Sequence, residues 1–395
     1  MRIAGLFAGI GGFELGMHQA GHTTELVCDV LPAAKAVLEA RFPGVDYRDD
    51  ITRIKSLPAS VDAICAGFPC QDLSQAGRTA GLEGERSGLI GEVFRLLSRR
   101  RVPTVILENV PFMLQLNGGS AMRAIVTEFE RRGYRWAYRV VDTFGFGLPQ
   151  RRERVFLVAS REFDPADVLL ADDRPLLRPK TAIGDLAHGF YWTEGLGGLG
   201  WAVDAVPTLK NGSTIGIPSP PAVMLADGTL IKPGLRDVER LQGFEADWTA
   251  PAEAIVRTSA RWSLVGSAVS VPVAKWVGER ISAPGSYERS RDTDFDVNQT
   301  GKMPRAARFD GKKTLAVRIG VDPLGIRPPP LASFLTDRAG QVPLSLKATL
   351  GFLGRTRRAK LRFEPGFIEA VERHAMRMGG PLMVCADPQL ALIAA

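Results

Sequence analysis

Four short stretches of this chain carry residue types that could do chemistry. The first is Cys70, held in Gly67-Phe68-Pro69-Cys70-Gln71 directly after an apolar run at residues 63–66. A free cysteine is commonly just a small buried hydrophobe, but its thiolate is also a strong nucleophile. Residues 71–87 follow, with Gly77, Gly81, Gly84, Arg78 and Arg86, a length and composition that suit a mobile cover over a reaction centre. The second stretch is Leu107-Glu108-Asn109-Val110-Pro111. A carboxyl desolvated by a cleft has its pKa raised and can carry a proton; a single acid in such a place also serves as a helix cap or loop charge. The third is Gln150-Arg151-Arg152-Glu153-Arg154-Val155, where Arg152 and Arg154 share a face of an extended chain and could meet an anion or a base, or merely line a solvated strand edge. The fourth, Leu6-Phe7-Ala8-Gly9-Ile10-Gly11-Gly12-Phe13, lets the backbone approach a ligand closely and points to a nucleotide-like cofactor. A dinucleotide fingerprint would need glycine at position 14, where Glu14 stands, so NAD is disfavoured. Asp29, which could accept hydrogen bonds from ribose hydroxyls or be a plain loop acid, ends the second apolar segment, and Asp50-Ile51 follows the next.

The elements that must position these residues alternate. Short apolar runs at residues 3–7, 26–28, 63–66, 104–107, 136–141 and 155–159 read as strands, and helical periodicity lies at 31–41, 91–100 and 121–132. This predicts an α/β fold: a mostly parallel sheet with helices on both faces. The glycine turn, Cys70 and Glu108 would then share the carboxyl edge, where open sheets bind ligands. Residues 161–235 are rich in Gly and Pro without a helix period and read as a smaller, irregular or strand-rich domain. Helices are expected at 235–242 and 271–280, a polar linker at 284–308, then a strand at 314–319 and a helix at 365–378, with no internal repeat.

A length of 395 residues implies two or three structural units. Hydrophobic residues at 45% and charged residues at 24%, with no apolar run near the roughly 20 residues a span needs, exclude a disordered or membrane-spanning chain. Glu14 interrupts the apolar start and no small-residue cleavage site follows, so the expectation is a cytoplasmic protein without a secretory signal. Four scattered cysteines make neither a disulfide framework nor a metal site. The net charge of +7 lies entirely beyond residue 283, where 18 Lys and Arg face 11 Asp and Glu. That excess favours a polyanionic partner and is also an ordinary solubility device.

Taken in order, these residues resemble the DNA cytosine-5 methyltransferases. Phe7-Ala8-Gly9-Ile10-Gly11-Gly12 is similar to the family's cofactor motif, Gly67-Phe68-Pro69-Cys70-Gln71 to its nucleophile motif, Glu108-Asn109-Val110 to its acid motif and Gln150-Arg151-Arg152-Glu153-Arg154 to its arginine motif. Glu239-Arg240-Leu241-Gln242-Gly243-Phe244 resembles the motif that organises the target-recognition domain, and Val265-Gly266-Ser267-Ala268-Val269 the last motif, which completes the cofactor pocket. The likeness covers residues 1–281.

The resemblance implies a Rossmann-like methyltransferase sheet over residues 1–165, completed by 262–283, a target-recognition domain at 166–261 and, beyond the linker, a C-terminal α+β extension at 309–395. It implies S-adenosylmethionine (SAM) as cofactor, double-stranded DNA as partner, no membrane, a monomer associated with the nucleoid through DNA, and a restriction-modification setting. Cys70 would attack cytosine C6, Glu108 would bond N3 and the exocyclic amine, Arg152 would hold the O2 edge and Arg154 would support Glu108 or Cys70. The target base would be flipped out of the duplex. Phe7 would pack on the adenine or sulfonium region, Gly9 and Gly11 approach the methionine part, Asp29 take the ribose, and Asp50 with Ile51 contact the adenine. Ala8, Ile10, Gly12, Val30, Pro69, Leu89, Ser267 and Val269 complete the implied pocket; Gln71, Ser74, Arg78, Thr208 and Asn211 are the implied DNA contacts. Three positions depart from the pattern: Gly5 where Asp often precedes Leu-Phe, Val30 where an aromatic often covers the adenine, and Ser267 in place of Asn. The rival readings are an RNA cytosine-5 methyltransferase and a non-catalytic DNA-binding relative.

Overall fold

The computed structural model describes residues 1–69, 88–180, 183–213, 219–296 and 301–380. Among them, ten strands form one sheet in the order β14-β16-β15-β6-β8-β5-β4-β1-β2-β3. Its heart is the parallel set β1 (Arg2–Leu6), β2 (Thr23–Cys28), β3 (Asp46–Arg48), β4 (Ala63–Gly67) and β5 (Thr104–Asn109). Central strands of a parallel sheet are covered on both faces and read as continuous apolar runs, which is why β4 (AICAG) and β5 (TVILEN) were legible. Helices α1 (Gly12–Gln19) and, from much later in the chain, α8 (Val271–Ser282) cover one face through Phe13, Met17, Val273 and Trp276. Helices α3 (Leu89–Arg99) and α4 (Ser120–Arg131) cover the other through Ile90, Phe94, Ile125 and Phe129; α2 (Pro32–Arg41) links β2 to β3. Strand order reverses between β1 and β4, and the crevice beyond their carboxyl ends is where such sheets take ligands.

Past β5 the sheet turns antiparallel. β6 (Arg135–Asp142) pairs with β8 (Glu153–Ser160), and β8 inserts between β6 and β5. The pairing Glu108↔Phe156 puts Arg154 two residues along the same face, diagonal to Glu108.

The stretch expected to be a linker contributes instead to this sheet. β14 (Asp292–Asp294), β15 (Ala306–Phe309) and β16 (Thr314–Val317) extend it, β15 pairing with β6 through Ala306↔Arg139 to Phe309↔Trp136. The rest of the C-terminal region joins a second, antiparallel sheet of order β10-β9-β12-β13-β17, in which β9 (His188–Phe190), β10 (Ala202–Val203), β12 (Ala222–Met224) and β13 (Leu230–Lys232) gain β17 (Val342–Pro343). Strands of two or three residues cannot bury a face by themselves; α10 (Leu346–Thr356) and α11 (Phe367–Arg377) supply Phe352, Leu353, Phe367 and Val371 against Phe190, Met224 and Leu230. The tail is therefore not one appended module. A short parallel pair, β7 (Gln150–Arg151) with β11 (Val206–Pro207), ties the two sheets together. Among the described residues, no helix is long and apolar enough to cross a membrane.

Candidate active site

The glycine turn leaves β1 with left-handed backbone at Phe7 (φ 56), Gly9 (φ 57) and Gly11 (φ 86). Gly9 donates its N–H to Asp29 Oδ2 at 2.7 Å, and Leu31 N–H donates to Asp29 Oδ1 at 2.9 Å, so the aspartate organises the loop from β2. Burial raises its pKa, against those two donors. Ala8 N–H bonds Cys28 O, and the Ile10 carbonyl accepts from Trp248 Nε1 at 2.8 Å. Trp248 was not singled out in the sequence; a tryptophan four residues past Phe244 carries no signal of its own. Gly12 has no side chain because the Val269 carbonyl lies where a Cβ would project, and Val269 Cγ2 also approaches Gly67. The last motif thus returns to the first, as a contact of carbonyl on backbone.

Val30 is 75% exposed at the rim of this turn, and Ser267, ending α7 (Arg261–Ser267), is exposed as well. Asp50 caps the turn at Ile51–Arg53 by accepting from the Thr52 hydroxyl at 2.7 Å and from Thr52 N–H at 2.9 Å, and these two hydrogen bonds, the hydroxyl's first, hold its pKa down. Ile51 is buried, and Arg95 of α3 reaches under this turn to the Ile51 and Ile54 carbonyls, both at 2.9 Å. Leu89, the first residue of α3, packs on the core below.

At the acid, Glu108 is buried and burial pushes its pKa up, while Arg154 and Arg152 pull it down. Arg154 Nε stands 3.0 Å from Glu108 Oε1, an ion pair between two largely buried side chains. Asn109 donates Nδ2–H to Phe68 O at 3.0 Å, fixing the turn that leads through exposed Pro69. Cys70, Gln71, Ser74 and Arg78 lie outside the described residues.

Arg152 occupies a place other than the one expected for a base contact. Its side chain is buried, with Nη1 donating to Leu209 O at 3.0 Å and Gly266 O at 3.3 Å and Nη2 to Ala268 O at 2.8 Å. It is a buried clamp between the recognition segment and the last motif, and the cost of burying it shows in a strongly lowered pKa. Gln150 makes a parallel clamp, donating to Leu241 O at 2.7 Å and accepting from Leu209 N–H at 3.0 Å. Sharing a strand face does not reveal which of two arginines is spent on carbonyls.

Arg154 also lines a cleft of about 470 Å³ with Arg151, Tyr191, Trp201 and Thr208. Thr208 gives its hydroxyl to Arg151 O, its carbonyl takes the Tyr191 hydroxyl at 2.7 Å, and Lys210 Nζ sits 3.9 Å from the Tyr191 ring centroid. Tyr191 was missed, a lone tyrosine in an irregular segment. Asn211 is exposed and spends its carbonyl on Ser263 Oγ at 2.6 Å.

Glycine turn, acid and closing motif meet at the switch point of a doubly wound sheet, the place where such folds bind nucleotide-like ligands. Comparison with known proteins narrows the class. Residues 1–191 match the family model of C-5 cytosine-specific DNA methylases. The chain is 46% identical to the Type II methyltransferase M2.BsuMI of Bacillus subtilis over 94% of this chain and 98% of that protein. It is 28% identical to the Type II methyltransferase M.MspI of Moraxella sp over 70% and 69%. Among solved structures, the S. pombe Dnmt2 methyltransferase shares the fold, with TM-score 0.51 at 16% identity over 71% of this chain and 97% of that one. The chain belongs to the C-5 cytosine-specific DNA methylases and is a DNA (cytosine-5) methyltransferase.

Proposed function

We propose that this enzyme methylates C5 of a cytosine flipped out of a specific site in duplex DNA, using SAM and a covalent bond from Cys70 to C6, as a monomer. The supporting observation is the buried Glu108 carboxyl, ion-paired through Oε1 with the Arg154 guanidinium and lying with Oε2 beside Gly67, at the head of the Gly67-Phe68-Pro69 turn that precedes Cys70. The residues fit the cofactor: a Cβ at Gly9 would meet nothing within 4 Å, so its left-handed backbone borders open space beside Asp29 and exposed Val30. When bound, SAM supplies an electrophilic methyl group.

The chain's own residues make the ring reactive. The Cys70 thiolate adds to C6, the S–C6 bond forming as the C5–C6 π pair moves toward C5, with negative charge spreading to N3 and O2. Glu108, whose pKa burial raises against the pull of Arg154 and Arg152, gives a proton to N3 as that charge develops. Arg154 holds the carboxylate that remains and turns its other face to the cleft. Arg152 positions rather than touches, locking Leu209 against Gly266 and Ala268. Once C5 has gained the methyl group, loss of the C5 proton to water reforms the C5–C6 double bond as the S–C6 bond breaks, releasing the Cys70 thiolate, and N3 returns its proton to Glu108. Nucleoside mass spectrometry on unmethylated DNA incubated with enzyme and SAM tests the reading: 5-methylcytosine is expected from the natural enzyme and none from Cys70→Ser, which should still bind duplex DNA.

A further inference from the structure

The 17 residues from Leu346 to Arg362 hold six basic side chains and no acidic one. Helix α10 is not a loose tail, since Phe352 and Leu353 are buried in the core of the small sheet. Its Arg355 reaches forward, donating Nε–H to Glu194 O at 2.8 Å and Nη2–H to Trp192 O at 2.7 Å. Those carbonyls follow Tyr191, which lines the cleft with Arg154 and Thr208. The helix end is therefore bolted to the back of the cleft wall. Beside it Arg358, Lys360 and Arg362 are exposed, while Arg357 is held by Glu372 at 2.9 Å. The favourable interaction of cations with a helix C-terminus accounts for arginines in the last turn, but not for Lys360 and Arg362, which lie beyond it. Arg355 has its pKa lowered by burial and by the like charge of Arg358, so these cations crowd one another.

We propose that Arg358, Lys360 and Arg362 form a docking strip for the phosphate backbone of duplex DNA, extending the substrate footprint from the cleft onto the C-terminal helices. The strip reads no sequence. It adds affinity through counterion release, with a slope of log affinity against log salt of about 0.9 per phosphate contact. The inference rests on duplex DNA being the substrate.

The test is fluorescence anisotropy of a labelled duplex of arbitrary sequence, titrated with full-length enzyme across roughly 50 to 200 mM KCl. The triple variant Arg358→Gln/Lys360→Gln/Arg362→Gln should bind more weakly, with a salt slope shallower by about 2 to 3, while kcat at saturating DNA stays unchanged. The charge-preserving pair Arg358→Lys/Arg362→Lys should keep the natural slope. A triple variant with unaltered affinity and slope overturns the docking strip and leaves the enzyme's function untouched. Natural enzyme that fails to hold duplex DNA at all overturns the substrate reading, and the strip with it.

Discussion

Replacing Glu14 by glutamine should make the enzyme progressively more stable than its parent as pH rises from 5 to 8. Glu14 of α1 is fully buried with its carboxylate against Gly5 of β1, and no side chain or other residue's backbone donates to it among the described residues. Burial raises its pKa from 4.5 to about 8, opposed by its own backbone N–H and helped by the charge of Asp29. The sign follows from proton counting. Below pH 4.5 the group is protonated whether folded or unfolded; between 4.5 and 8 the unfolded chain gives up the proton that the folded one keeps, so stability falls as pH rises. At about 1.36 kcal/mol per pKa unit, the loss approaches 5 kcal/mol by pH 8 and levels off above it. Glutamine carries no such proton. Its unpartnered amide costs something, but by an amount independent of pH, so the slope of the difference is the diagnostic. Thermal unfolding of both proteins at a series of pH values should give Tm curves that diverge, at about 2 to 4 °C per kcal/mol for a unit of 150 to 250 residues. Parallel curves would refute the reasoning, because they would mean that Glu14 is ionised in the fold and has a partner.

Gly5 and Glu14 are one feature, since a Cβ at position 5 would overlap the Glu14 carboxylate. Gly5→Ala should cost about 1 to 3 kcal/mol of stability, and Gly5→Ala/Glu14→Ala should recover part of it in the same unfolding assay. Arg154→Gln removes the cation 3.0 Å from Glu108, so the pH-rate limb set by Glu108 should move to higher pH while kcat falls by about 10²-fold or more, as steady-state kinetics across pH would record. Arg152→Met strands the Leu209 and Gly266 carbonyls and leaves the Ala268 carbonyl only the 3.3 Å bond from Gln242 Nε2; at about 1 to 3 kcal/mol for each unpaired buried group, the loss should be visible as a lowered Tm, together with weaker SAM binding by calorimetry.

The heart of the sheet was readable because burial on both faces forces continuous apolar runs, and those at residues 63–66 and 104–107 are unambiguous. The strands added later were not. Asp292-Thr293-Asp294 is polar and only three residues long, and β15 is fixed by pairing with β6 rather than by any pattern of its own. At the site, Glu108 and the glycine turn could be placed from strand ends alone. The division of labour between Arg152 and Arg154 could not, because it depends on which carbonyls lie within reach after chain segments more than 50 residues apart have met. Gly5 looked like a departure from the family pattern; the structure shows that the room it leaves is filled by Glu14.

The way the tail completes both sheets has a consequence for the birth of the protein. As the chain leaves the ribosome, β6 presents a bare hydrogen-bonding edge until Ala306–Phe309 is made, and β13 until Val342–Pro343 is made. Open edges of this kind recruit other strands, and the apolar face around Phe190 stays uncovered still longer, until α11 has emerged. Synthesis that stalls after residue 283 would leave a chain carrying all six motifs named above and two unprotected sheets. Such a fragment is a substrate for chaperones or aggregation before it is an enzyme.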